Sequence, residues 1–155
     1  MKNIKEIAKL FDGSLNRIRT NENVWETETY TILKKSLESI VDELKSNSTY
    51  FNECALEVYS SKEKDKIGIE AKPLVIKTVI KDLETHSYNS NQMSKGFTVG
   101  FSFFNSSCHF DYLYSGRQRK NIEAKREKFS NLNEIEPDLI LKLVIDALNH
   151  LFNDS

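Results

Sequence analysis

Apolar residues recur at helical spacing toward both ends of this chain and at every second position through its middle. Residues 3 to 11 carry Ile4, Ile7, Ala8 and Phe11, the i, i+3, i+4, i+7 pattern of an amphipathic helix. Asp12-Gly13 reads as a stop or kink, because glycine supplies the left-handed C-terminal conformation. Leu15 and Ile18 would extend the apolar face past it. Residues 20 to 28 are polar and acidic apart from Val24 and Trp25, and predict a connection. A second helix then shows a stripe of Tyr30, Leu33, Leu37, Ile40, Val41 and Leu44, with Lys34, Lys35, Glu38, Asp42 and Glu43 outside. Glu26 and Glu28 complement its positive N-terminal end, and Ser46-Asn47-Ser48 ends it.

From Glu53 the period changes to two. Cys54, Leu56 and Val58 alternate with Ala55, Glu57 and Tyr59 in a first strand. A polar turn over residues 60–65 leads to a second strand with Ile67, Ile69 and Ala71, so the two predict a hairpin. Pro73 ends that ladder. In residues 74–83, Ile76, Val79, Ile80 and Leu83 fit a helical face, but the density of Val, Ile and Thr tips the expectation to a strand. Residues 84–95 have no apolar periodicity and predict an exposed loop.

The strongest pattern spans Gly96 to Gly116. Phe97, Val99, Phe101 and Phe103 fall on alternate positions, and a polar tetrad from Asn105 to Cys108 interrupts them. The alternation resumes with Phe110, Tyr112 and Tyr114 on one side and His109, Asp111 and Leu113 on the other. This is a second hairpin with one buried, aromatic face, the expected anchor of the core. Residues 117–128 are sparse in apolar side chains and predict an exposed helix or a flexible connection. A final helix opens at Glu136-Pro137-Asp138, with Pro in its first turn and acids at its positive end. Ile140, Leu143, Val144, Ala147, Leu148 and Leu151 form its stripe, which Leu139, Ile145 and Phe152 broaden enough to pack on two sides.

The expected fold is a single α+β domain over residues 1–155, with residues 1–20 as a helical arm. Two N-terminal helices precede an antiparallel sheet of four or five strands built from two hairpins, and the C-terminal helix packs on the sheet. The second side of that helix leaves a homodimer open.

Composition changes this picture in one respect. Hydrophobic residues at 39% and charged residues at 29% match a globular chain, and a net charge of −1 rules out a uniformly basic nucleic-acid-coating protein. The start has no uninterrupted apolar h-region, and no run approaches the ~20 apolar residues of a membrane span. Cys54 and Cys108 are too few for a disulfide framework. The expectation is a cytoplasmic protein, of bacterial or phage type by its Lys, Asn, Ile and Ser content, with no membrane partner.

Three constellations carry candidate chemistry. On the second strand, Glu70 and Lys72 share a face, with Asp65 or Glu57 upstream. This triplet resembles the D…ExK core of restriction-type nucleases. The resemblance implies a metal-dependent nuclease in which Asp65 and Glu70 hold the ion and Lys72 positions the attacking water. A solvated sheet face explains the same residues without chemistry. His109 and Asp111 share a face and offer two metal ligands, but His86 and His150 are remote in sequence and no full metal set results. The run 117–128 carries Arg117, Arg119, Lys120, Lys125, Arg126 and Lys128 against Glu123 and Glu127, a local charge of +4. Beside Tyr112 and Tyr114 it suits an acidic protein surface or, less well, nucleic acid. No glycine-rich phosphate loop and no nucleophile motif are present.

The expected function is therefore binding of another protein, with no cofactor, no resident metal and no catalysis. An immunity-like protein, antitoxin or inhibitor acting by occlusion fits best, with Tyr112, Tyr114, Arg117, Arg119 and Lys120 as anchors.

Overall fold

A computed structural model describes residues 3–81, 87–94, 96–115 and 127–153. The N-terminal third is one continuous helical rod. Helix α1 (Ile4–Val24) runs through a π-helical turn (Trp25–Thr29) into α2 (Tyr30–Asn47). This corrects two expectations from the sequence, the break at Asp12-Gly13 and the connection over 20–28. Glycine inside an exposed helix costs only about 1 kcal/mol, and nothing lies within 4 Å of where a Gly13 side chain would stand. The wide π turn has a packing reason. It shifts the helical phase so that Trp25 and Thr29 are buried together with Leu33, Leu37, Ile40 and Val41.

A short helix α3 (Thr49–Glu53), capped by the Ser48 side chain, leads into the sheet. Strands β1 (Glu57–Ser60), β2 (Lys66–Ala71), β5 (Gly96–Phe104), β6 (Ser107–Ser115) and β7 (Glu127–Phe129) form a five-stranded antiparallel sheet in the order β1-β2-β5-β6-β7. Between β2 and β5 the chain makes a separate antiparallel hairpin, β3 (Leu74–Lys81) with β4 (Ser87–Ser94). The strand preference at 74–83 is met over residues 74–81, and residues 82 and 83 lie outside the described residues. Residues 87–94, expected as loop, form a strand instead, because eight consecutive register pairs with β3 satisfy its backbone without any apolar period. The β5–β6 hairpin turns on Asn105 and Ser106, both at positive φ (51° and 61°), the two-residue geometry that matches strand twist.

Helix α4 (Pro137–Asn153) and α2 lie side by side on one face of the sheet. The core between them holds Leu33, Leu37, Ile67, Ile69, Val99, Phe101, Phe110, Ile140 and Val144. The architecture is α+β, and no helix among the described residues is long and apolar enough to cross a membrane.

Candidate functional site

The outer face of the sheet is organised by two glycines. Tyr59, Gly68, Gly100 and Asp111 stand opposite one another on four successive strands. A side chain on Gly100 would collide with the Tyr59 hydroxyl, and one on Gly68 would come within 2.8 Å of it. The Tyr59 ring therefore lies flat across the two bare positions, with its hydroxyl toward the far strands. Burial there, reinforced by the negative charges of Asp111 and Glu70, pushes the phenol up to about 12.

This shift has a consequence for stability. In the unfolded chain a tyrosine ionises near pH 10, whereas folded Tyr59 keeps its proton to about 12. The folded state binds the extra proton in that window, so the contribution is complete below pH ~10 and is lost as pH rises toward 12. Cys108 acts in the same direction from lower pH, since burial raises its thiol from 9.0 to about 12. Tyr59→Phe is expected to flatten the fall of urea midpoints between pH 10 and 12. An unchanged alkaline slope would show that the Tyr59 phenol is not buried as described.

The residues of the nuclease-like pattern divide between two places. Glu57 and Glu70 are register partners on the outer face of β1 and β2, and Lys72 stands just past the end of β2. Asp65 sits in the β1–β2 turn, where it accepts a hydrogen bond from the Ser61 hydroxyl at 2.5 Å. It is five positions from Glu70, about 16 Å of extended chain. Among the described residues no three His, Cys, Asp or Glu side chains converge as a metal set. His109 and Asp111 do share the outer face, as the alternation predicts. The His109 ring stacks on Phe104 with centroids 3.8 Å apart, and its Nε2 is buried with no hydrogen-bond partner among the described residues. His150 is on α4, against the opposite face of the sheet, and His86 lies outside the described residues.

The aromatic anchors expected at a partner surface face α4 instead. Tyr112 is 4% exposed, with its hydroxyl 2.6 Å from His150 Nδ1. Tyr114, half-buried, donates its hydroxyl hydrogen to the Leu151 carbonyl. Both hydroxyls bind the last turns of α4 to the sheet. Arg117, Arg119 and Lys120 lie outside the described residues. Cys54 and Cys108 are buried and free, and burial raises both thiols, so neither is primed as a nucleophile.

Among the residues whose side chains are described, α1 carries the longest run of exposed large apolar groups. None of its residues is buried, yet Ile4, Ile7, Leu10, Phe11, Leu15 and Ile18 are all large apolar side chains exposed to solvent, Ile4 at 86% and Phe11 at 73%. Asn21, near the C-terminal end of α1, is pinned to the domain. Its side-chain amide donates to the Ser106 carbonyl at 2.9 Å, at the tip of the β5–β6 hairpin. One turn further on, Trp25 stacks on Phe103 with centroids 5.2 Å apart and donates from Nε1 to the Lys64 carbonyl. Ahead of these fastenings every residue from Ile4 to Thr20 is exposed except the half-buried Ser14, and the apolar stripe is exposed with them. On α4, Ile145 and Phe152 of the expected second packing side are exposed together with Leu141, whereas Leu139 is partly buried against the core.

No family model, no curated protein and no solved structure matches this chain.

Proposed function

We propose that this chain is a protein-binding module that docks through the apolar face of α1. One observation carries the reading: a 21-residue helix has six exposed large apolar side chains and no buried residue. Most helices in folded proteins owe their stability to packing of an amphipathic face rather than to intrinsic propensity. A helix of this length, with that face exposed, gains the missing stabilisation when a partner covers it. Exposed contiguous apolar surface of this kind marks interaction sites.

Inhibition by occlusion, in the manner of an immunity-like protein or antitoxin, is the form of binding we favour. Occlusion requires a rigid body and an adhesive surface, and no reacting groups. The five-stranded sheet with its two helices provides the body, and α1 provides the surface. The basic run 117–128 remains a candidate second contact, and an acidic protein surface suits it better than nucleic acid in a chain of net charge −1.

The test is a nuclease-treated pull-down with the wild-type chain and with Phe11→Asp, using both host lysate and a differently tagged second copy as bait targets. A stoichiometric protein is expected with the wild type and is expected to be lost with the variant. At concentrations too low for self-association, stability should stay within about 0.5 kcal/mol of wild type, because Phe11 is exposed. Equal recovery by both forms, or recovery of nucleic acid alone when nuclease is omitted, would overturn the proposal.

A further inference from the structure

We infer that the partner of α1 is α1 of a second copy, the two helices running antiparallel with their Phe11 side chains meeting at a two-fold axis. This rests on the proposal that α1 is the docking element, and it adds the identity and the direction of what docks there.

The first support is the spacing of the stripe. Ile4, Ile7, Phe11, Leu15 and Ile18 are separated by steps of three, four, four and three, so the stripe reads the same in both directions about Phe11. A two-fold interface places the same patch on both partners, with residue i on j and j on i. An antiparallel pair centred on Phe11 sets Ile4 against Ile18, Ile7 against Leu15 and Phe11 against itself, with an apolar partner at each position.

The second support fixes the direction. Ile4, Phe11, Ile18 and Trp25 follow one another at seven-residue intervals, and so lie along one line of the helix. Trp25 at the end of that line is buried, stacked on Phe103 of its own sheet. The domain thus occupies the stripe's side of the rod from Asn21 onward. A parallel mate would drive its own continuation and its own domain into that space. An antiparallel mate brings its helix tip there instead, and its domain falls beyond the tip of the first arm.

The area agrees with self-pairing, and the net charge opposes it only weakly. The five stripe side chains present on the order of 500 Å² per arm. Two mated arms then bury on the order of 1,000 Å², the size at which specific association begins. Between Asn3 and Val24 the chain carries four basic residues (Lys5, Lys9, Arg17, Arg19) and three acidic ones (Glu6, Asp12, Glu22), a net charge of +1, so two arms repel only weakly.

The test uses the full-length chain in sedimentation equilibrium over a range of concentrations. A shift from 18.0 kDa toward twice that mass is expected at micromolar concentration. Phe11→Asp, which sets two carboxylates face to face at the axis, is expected to weaken the dimer by at least ~100-fold. Direction is read by cysteine crosslinking, with native Cys54 and Cys108 buried and out of reach. The double variant Ile4→Cys/Ile18→Cys should form a covalent dimer on mild oxidation. Neither single variant should, because residue 4 of one copy lies about 21 Å from residue 4 of the other, fourteen residues at 1.5 Å each.

A chain that is monomeric at every concentration overturns the self-pairing. If such a monomer still captures a foreign protein in a Phe11-dependent way, the docking role of α1 survives without it. A dimer that persists in Phe11→Asp but is lost in Ile145→Asp places the interface on α4 and also overturns it. Crosslinking by Ile4→Cys alone would overturn the antiparallel direction.

Discussion

Phe101→Ala is expected to lower the stability of this protein by about 3–5 kcal/mol, the range for truncating a fully buried aromatic side chain. Phe101 is 1% exposed on β5, between β2 and β6, and its ring lies 5.0 Å from that of Phe110 on the next strand. The loss has two parts, the transfer of a large apolar group to water and a cavity the sheet cannot close. Both adjacent strands hold Phe101 by backbone pairing, Ile67 on one side and Phe110 on the other, so neither can move in to fill the space. At about 2–4 °C per kcal/mol for a chain of this size, the melting midpoint should fall by roughly 10 °C. Phe104→Ala, three residues further along the same strand, serves as the control. Phe104 is exposed and touches the His109 ring, so its removal should cost about 1 kcal/mol or less. Equal losses for the two variants would mean that the sheet's inner and outer faces are wrongly assigned.

Gly68→Ala is expected to be about as damaging, although it adds only one methyl group. A Cβ there would strike the Val99 carbonyl oxygen and stand 2.6 Å from the Gly100 Cα, both backbone atoms of the paired strand β5. Backbone held in a ladder can yield only by parting the strands, so a cost of at least ~3 kcal/mol is expected, the upper range of overpacking. Gly100→Ala meets a different obstacle. Its nearest contact is the Tyr59 hydroxyl, the far end of a side chain that can swing away, and the nearest backbone atom, the Ile67 carbonyl oxygen, is 3.3 Å off. That variant should lose about 1–2 kcal/mol and release Tyr59 to solvent, returning its phenol toward the ordinary value. The two cases separate in combination with Tyr59→Ala. The added truncation should cost Gly100→Ala little further stability, because the clash has gone, whereas Gly68→Ala should gain nothing from it. Urea midpoints of the four variants decide the matter, and a rescue of Gly68→Ala by Tyr59→Ala would place the obstruction in the side chain instead of the backbone.

These glycines show how the candidate surfaces divide between sequence and structure. Alternation from Phe97 to Tyr114 is enough to put Phe101, Phe110 and Tyr112 inward and His109 and Asp111 outward, because a strand's side chains must alternate. The same rule puts Glu57 and Glu70 outward. It does not place Tyr59 over Gly68 and Gly100, since that contact depends on which strands become neighbours.

Local patterning by itself determined much of this protein. The stripes of α2 and α4, the β1–β2 and β5–β6 hairpins and the strand at 74–81 all follow from periods of 3.6 and 2, which are properties of short segments. Near-neutral charge and the lack of nucleotide motifs set the expectation of a binding protein before any contact was known. The continuity of the N-terminal rod was decided by tertiary structure. Gly13 and the polar stretch 20–28 favour interruption locally, and the burial of Trp25 and Thr29 in a π turn overrides them. Tertiary structure also decided that Tyr112 and Tyr114 serve α4, because a hydroxyl's partner is chosen by packing and not by sequence spacing. Above all, the stripe on α1 is visible in the sequence, but whether an amphipathic helix is covered is a property of the whole fold. Here the apolar face from Ile4 to Ile18, about four turns of helix, is left exposed.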